Sequence, residues 1–169
     1  IYYVSPQVWA SREGRINRIK KFISLIIILF KFEEEFYRQR GIQAAYVGHP
    51  LVDLAKPALE KQEFLANFRI SPSKKIVALL PGSRKQEVSL ILPLMLKAAQ
   101  LINKVIPQTQ FIIAKSPNLN TQIYRQICKN FSLDLKIIEG KTYDCLDNAD
   151  ASMVCSGTAT LEAAIAQKP

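Results

Sequence analysis

Lys75-Ile76-Val77-Ala78-Leu79-Leu80-Pro81-Gly82-Ser83-Arg84-Lys85-Gln86-Glu87-Val88 is the stretch whose reading decides the fold. Five apolar residues in a row, bounded by turn formers, read as a strand buried on both faces. Pro81-Gly82-Ser83-Arg84 then reads as a tight loop. From residue 86 to 104 the period changes to helical, with Val88, Ile91, Leu92, Met95 and Ala99 on one side. Strand, short loop and helix make one step of a parallel α/β sheet.

The same alternation extends in both directions. Downstream, residues 110–115 read as a strand, 119–131 as a helix, 134–138 as a strand and 142–148 as a short helix. Residues 151–155 read as a strand and 159–167 as a helix. Upstream, residues 1–4 read as a strand. Residues 11–21 read as a helix with Ile16, Ile19 and Ile23 at helical spacing. Residues 24–30 follow as a strand, 32–40 as a helix closed by Gly41, and 43–47 as a strand ending at Gly48-His49-Pro50.

Residues 53–73 differ in texture, with Pro57, Pro72, scattered charge and one short helical pattern near 61–68. They read as an interdomain connection. The expected fold class is therefore α/β: parallel β-sheets with flanking helices, in parts of two Rossmann-like domains. Residues 1–52 would close the first, 53–73 connect, and 74–169 form most of the second. The chain opens on Ile1 inside a strand-like run and closes at Lys168-Pro169, so a fragment of a longer protein is expected.

Composition narrows the function classes. Apolar residues make up 49% and charged residues 22%, which excludes a disordered chain. The net charge is +9, and it is uneven. The first hundred residues carry sixteen Lys or Arg against eight Asp or Glu, and the remainder seven against six. An anionic partner should meet the first part. No helix-turn-helix, zinc-finger or RNP-like pattern accompanies the charge, so nucleic acid is not the expected partner. The longest apolar run, residues 22–30, is too short to span a membrane and reads as a buried strand. Cys128, Cys145 and Cys155 are far apart, with no C-x-x-C, which suggests neither a disulfide framework nor a metal site. A reducing, cytoplasmic setting fits them. Cys155, beside Ser156-Gly157, reads as a small buried strand residue in preference to a reactive thiol.

In open α/β sheets ligands bind beyond the carboxyl ends of the strands. The loops to examine are thus 5–12, 31–34, 48–53, 81–87, 115–118, 139–143 and 156–162. In the fourth of these loops, Gly82 allows close backbone approach, Ser83 can cap the helix or donate to an oxygen, and Arg84 offers a planar fork for phosphate. The helix start adds free N–H groups. A plain β–α turn with a surface arginine fits the same residues. Glu87 reads first as an acid complementing the helix dipole.

Ser156-Gly157-Thr158-Ala159-Thr160-Leu161-Glu162 repeats the logic. Its hydroxyls and backbone N–H groups suit a pyrophosphate, and Glu162, one turn on, can accept from two vicinal hydroxyls. A Thr-capped helix with a solvated glutamate is the plainer alternative. His49, the single histidine, sits between Gly and Pro and reads as structural or as a cleft residue at the domain junction. The basic face of the helix at 11–21 (Arg12, Arg15, Arg18, Lys20, Lys21) suits anionic lipid or a substrate phosphate, and equally plain solvation. Glu33-Glu34-Glu35 reads as the acidic first turn of its helix.

Taken together, these stretches resemble the lipid-A-disaccharide synthase family, two-domain glycosyltransferases of the GT-B type. The resemblance is carried by Tyr3-Val4-Ser5-Pro6-Gln7-Val8-Trp9-Ala10 with Arg12, by Phe32-Glu33-Glu34-Glu35-Phe36-Tyr37, and by Val47-Gly48-His49-Pro50-Leu51-Val52-Asp53. It continues through Leu79–Arg84 with Glu87, and through Ala149-Asp150 and Ser156–Glu162. Two departures stand out: Ser11 where a large residue is usual before Arg12, and Lys31 where the family has Phe-Pro-Phe-Glu.

The resemblance implies transfer of diacylglucosamine from its UDP carrier to diacylglucosamine 1-phosphate (lipid X), with inversion, a β-1,6 linkage and release of UDP. It implies no metal or other cofactor for holding UDP, and a cytoplasmic enzyme peripheral to the inner membrane, with a homodimer among the partners considered. By similarity Arg84 would stabilise the leaving diphosphate and Glu162 would hold the ribose. Gly82, Ser83, Glu87, Ser156, Gly157, Thr158 and Thr160 would line the donor site, with Arg12 and His49 toward the substrate. The catalytic base is expected outside this stretch. Another GT-B enzyme acting on UDP-sugars, either a transferase or a 2-epimerase, and a non-catalytic nucleotide-binding piece are the competing readings.

Overall fold

A computed structural model describes every residue of the chain except Ser5 and Arg12, and of Glu13 only the backbone. The chain forms two compact units, Ile1–Leu54 and Ala55–Pro169.

The first unit holds a three-stranded parallel sheet in the order β1-β2-β3 (Tyr2–Tyr3, Ile26–Ile28, Ala44–Tyr46). A single 3-10 turn, Glu13–Arg15, leads into α1, Ile16–Phe22. Ile16 and Ile19 of α1 pack with Val8, Ile26, Ile28, Tyr37 and Ile42 in one core. The helix expected from residue 11 therefore begins later, as a tighter turn. The apolar run 22–30, expected as one strand, is divided. Phe22 ends α1 and is 70% exposed, while only Ile26–Ile28 joins the sheet. Hydrophobicity alone does not distinguish a helix end from a strand, and backbone pairing with β1 and β3 sets the limit.

α2 spans Phe32–Arg38. Gly41 closes it at φ +68, with its N–H on the Arg38 carbonyl and the N–H of Ile42 on the Tyr37 carbonyl. This is the paired 6→1 and 5→2 arrangement that favours glycine, and Ile42 and Tyr37 are both buried beneath it. α3, Leu51–Leu54, ends the unit.

The second unit is a four-stranded parallel sheet in the order β6-β5-β4-β7 (Leu135–Glu139, Thr109–Lys115, Lys75–Leu80, Ala151–Val154). Side chains alternate across it. Ile76, Ala78, Leu80, Ile112, Ala114 and Ile138 face one core, and Val77, Leu79, Phe111 and Ile113 the other. α5 (Lys85–Val105) and α6 (Thr121–Cys128) cover the second face through Val88, Leu92, Met95, Leu96, Ala99 and Tyr124.

The opposite face is covered by α4 (Lys61–Phe68), α7 (Thr142–Asn148) and α8 (Thr158–Ile165). Residues 55–73 carry packed structure. Phe64 and Ile70 are buried in that core. Asp144 of α7 accepts the N–H groups of Ala58 (2.9 Å) and Leu59 (2.7 Å).

The architecture is thus α/β, with two parallel sheets flanked by helices in parts of two Rossmann-like domains.

Candidate functional site

The strand order of the second unit fixes where a ligand can sit. From β4 the chain steps outward to β5 and β6, then returns to place β7 on the other side of β4. The loops after β4 and β7 therefore diverge, opening a crevice beyond their carboxyl ends. A cavity of about 450 Å³ lies there. Four of the loops singled out from the sequence converge on it. Gly82, Ser83, Arg84 and Glu87 come from β4–α5, Ser116 and Pro117 follow β5, Thr142 follows β6, and Ser156 to Ala159 with Glu162 follow β7.

The first wall is more elaborate than an open helix start. Arg84 occupies the N-cap position of α5, and no side-chain cap comes from Ser83. Glu87 reaches back instead. Its Oε2 accepts the N–H of Ser83 at 3.0 Å and of Arg84 at 3.2 Å, and its Oε1 pairs with the Arg84 guanidinium. The Arg84 side-chain bond first, then its backbone bond, with lesser help from the Ser83 N–H and the Arg84 charge, hold the Glu87 carboxyl below the usual carboxylate range against the opposing effect of burial. The arginine is nonetheless 80% exposed in its side chain, so most of its fork remains open to a ligand.

Gly82 is required by this arrangement. Its φ is +107, and a Cβ there would lie 2.5 Å from Glu87 Oε2 and 2.8 Å from Glu87 Cβ.

The second wall is the N-terminus of α8. Gly157, at φ +148, precedes it with no side-chain cap bond. Ser156 and Thr158 are exposed toward the cavity. Thr160, expected in the lining, is outside it. Its hydroxyl donates to the Gly157 carbonyl at 2.6 Å, which spends it on holding the turn. Glu162 enters the lining from the next turn, and the hydroxyl of Tyr143 donates to its Oε1 at 3.2 Å. Cys155, expected as a buried strand residue, is half-buried just past β7 and lines the cavity. A strand of four residues ends before it.

The motif residues of the first unit gather at the carboxyl ends of their own sheet. The Trp9 ring meets Phe32 edge-on at 5.0 Å, Phe30 lies 5.8 Å from Phe32, and His49 lies 5.5 Å from Phe30. Glu33 lies in the acidic first turn of α2, as expected, and is buried there at 2% exposed. Its oxygens accept from Trp9 Nε1 at 3.1 Å and from the N–H of Phe30 at 3.4 Å. Only Glu34 and Glu35 of the three face solvent. His49 Nδ1 accepts the N–H of Leu51 at 3.1 Å, which places it at the start of α3. Arg12 lies outside the described residues.

Ser116, Pro117, Thr142 and Tyr143 were not singled out from the sequence. The rule that ligands gather at strand carboxyl ends points to their loops, but nothing in their residue types marks them individually. Among the described residues no group of three or more His, Cys, Asp or Glu is placed to hold a metal ion.

Fold and site together define a Rossmann-like α/β protein with an anion-suited crevice of nucleotide size at its switch point. A family model described as Lipid-A-disaccharide synthetase matches residues 1–169, and the chain belongs to that family. It is 42% identical over 169 residues to the lipid-A-disaccharide synthase of Coxiella burnetii (strain Dugway 5J108-111), covering 100% of this chain and 44% of that protein. It is 43% identical to that of Syntrophus aciditrophicus (strain SB), covering 99% of this chain and 44% of the relative. It is 36% identical to that of Geobacter sulfurreducens, with coverage of 100% and 44%. The chain spans less than half the length of the curated relatives it matches.

Proposed function

We propose that this chain carries the donor site of a lipid-A-disaccharide synthase. The reaction joins diacylglucosamine, carried on UDP, to diacylglucosamine 1-phosphate. The acceptor 6-hydroxyl oxygen bonds to the donor C1, the C1–O bond to diphosphate breaks with inversion, and its electron pair leaves on UDP. The hydroxyl proton passes to a base for which no residue of this chain is assigned.

The observation that carries the reading is the convergence of Arg84, the N-terminus of α8, Ser156 and Thr158 on one cavity, in a chain of this family. Charge grows on the diphosphate as C1–O breaks. A guanidinium and preorganised N–H groups stabilise it without reorganising. Gly82 and Gly157 let the backbone approach the phosphates, and Glu162 takes the ribose hydroxyls. The family affiliation favours this reading over another UDP-sugar transferase or a 2-epimerase.

Both substrates are lipids, so the protein must work at a bilayer, on its cytoplasmic side in this reading. Among the described residues one helix, α5, is long and apolar enough to cross a membrane. Its inner stripe is instead packed on the sheet. The outer stripe supports contact with an anionic lipid surface. Leu90, Leu94, Leu101 and Val105 are each at least 59% exposed. They share an arc of ~100° with the exposed Lys97 and Lys104. Two lysines among the leucines oppose self-pairing of this face and favour anionic headgroups. Arg15, Arg18, Lys20 and Lys21 of the first unit are exposed as well and suit the acceptor phosphate or the same headgroups.

The deciding experiment is turnover by the full-length protein. UDP-diacylglucosamine with diacylglucosamine 1-phosphate should give disaccharide and UDP. Turnover of non-acylated UDP-sugars alone would reassign it to another GT-B activity, and UDP binding without turnover would make it a binding protein.

A further inference from the structure

Glu162 reaches the cavity from α8, but its carboxylate is held from another element. The bond from Tyr143 links the second residue of α7 to the fifth of α8. α7 follows β6 and α8 follows β7, which are the two edge strands of the sheet. The contact therefore joins helices that the chain delivers from opposite edges, directly beside the cavity that Thr142 also lines.

The chemistry of the partner matters. A glutamate has three rotatable bonds and explores many positions unless something fixes it. A lysine or arginine would fix it and also consume its charge. A phenol donates one hydrogen bond and leaves the carboxylate anionic. One oxygen is occupied and the second is left to accept from a ligand. The phenol is also a dependable donor: burial first, then the charge and hydrogen bond of Glu162, all raise its pKa above the ordinary tyrosine value. It stays protonated over the working range of the enzyme.

We propose that Tyr143 is a positioning residue of the nucleotide subsite, its hydroxyl orienting Glu162 so that the free oxygen accepts from the vicinal hydroxyls of the donor ribose. This rests on the reading of Glu162 as the ribose ligand.

The test compares UDP with 2′-deoxy-UDP by calorimetry on the full-length protein, in wild type, Tyr143→Phe and Glu162→Gln. The wild type should prefer UDP by about tenfold, the worth of one hydrogen bond to a charged acceptor. Glu162→Gln should remove most of that preference. Tyr143→Phe should reduce it by roughly threefold or more, with affinity for 2′-deoxy-UDP and the melting temperature nearly unchanged. A merely structural tyrosine would weaken both nucleotides equally and leave the ratio intact, which overturns the proposal. If Glu162→Gln collapses the ratio while Tyr143→Phe does not, Tyr143 alone loses its role. No preference in the wild type, or one untouched by Glu162→Gln, overturns the ribose reading of Glu162 and the Tyr143 role with it.

Discussion

Glu87 folds back over the first turn of its own helix and holds the side chain of Arg84 while accepting the N–H groups of Ser83 and Arg84. The arginine is thus preset rather than free. A flexible cation would have to be ordered when a diphosphate arrives, and here part of that ordering is already done. The glutamate also fills the N–H positions that an open helix start would offer. On the proposed reading, the diphosphate is left with the outward fork of Arg84 and the start of α8.

The first prediction concerns turnover. Arg84→Ala in the full-length protein should lower kcat/KM at least tenfold, about 1.4 kcal/mol of transition-state stabilisation. Steady-state kinetics at saturating acceptor measures it. Turnover within twofold of wild type would remove Arg84 from the diphosphate site.

The same pair has a pH signature. The folded pKa of Glu87 is depressed, so the pairing is complete above the usual glutamate value and is lost only as pH falls through the lower folded value. Donor affinity should therefore hold through the ordinary glutamate range, about pH 4–5, and Glu87→Gln should differ from wild type above it rather than below. Loss of donor affinity already at pH 6 would point to another titrating group.

Gly82 supports a sharper comparison. Gly82→Ala combines a positive φ with a contact to Glu87, whereas Gly48, at φ +83, has no atom within 4 Å of an added Cβ. Gly48→Ala should cost only the backbone strain, roughly 1 kcal/mol. Gly82→Ala should cost more, ~2–3 kcal/mol, and should release Arg84. Thermal melting of the two variants side by side checks the order. Equal losses would mean that Glu87 moves aside freely.

How far these features were legible in the sequence follows from what each depends on. Strand and helix periods are local, so β4, α5 and the loops at their junction could be read directly. Gly41 could be read too, because a helix end needs a left-handed residue whatever surrounds it. Glu33 could not. Its burial depends on Trp9, twenty-four residues away, arriving above it with a free indole N–H. Thr160 reads as a phosphate ligand by its position in a turn, but a carbonyl three residues back claims its hydroxyl first. Tyr143 is the clearest omission. Nothing local marks it, since its partner is brought in by a crossover that only the strand order reveals. The residues missed are those whose roles are set by non-local pairing.

Asp150 is another non-local tie, and it titrates. Its Oδ2 accepts the N–H of Ile76 at 2.8 Å and its Oδ1 pairs with Lys75 at 3.0 Å, joining the starts of β4 and β7. The Ile76 bond first, and then Lys75, hold its carboxyl below the ordinary aspartate range despite some burial. A depressed folded pKa means stability present above the unfolded value and lost as pH falls through the folded one. The side chain is 44% exposed, so the Lys75 pairing is discounted for solvent screening. Asp150→Ala should cost ~1–2 kcal/mol at pH 7, and the gap to wild type should narrow in acid below about pH 4. Denaturant titrations at both pH values test this, and a gap that is constant with pH would show that the charge contributes nothing.

The outer stripe of α5 allows a test separate from catalysis. Leu94 and Leu101 are 59% and 64% exposed and pack in neither core. Replacing both with glutamate should leave the melting temperature within about 1–2 °C, as expected for surface changes. Cosedimentation with vesicles rich in anionic lipid should fall at least about tenfold, because two apolar anchors are lost and two charges of the wrong sign are added. Lys97→Gln with Lys104→Gln should weaken binding less, by about 1 kcal/mol for each lysine, and should remove much of its salt dependence. Vesicles of zwitterionic lipid should bind the wild type weakly. If the glutamate variant sediments like wild type, the stripe faces something other than a bilayer. A concentration-dependent mass by light scattering, abolished in that same variant, would identify it as a second copy of the chain.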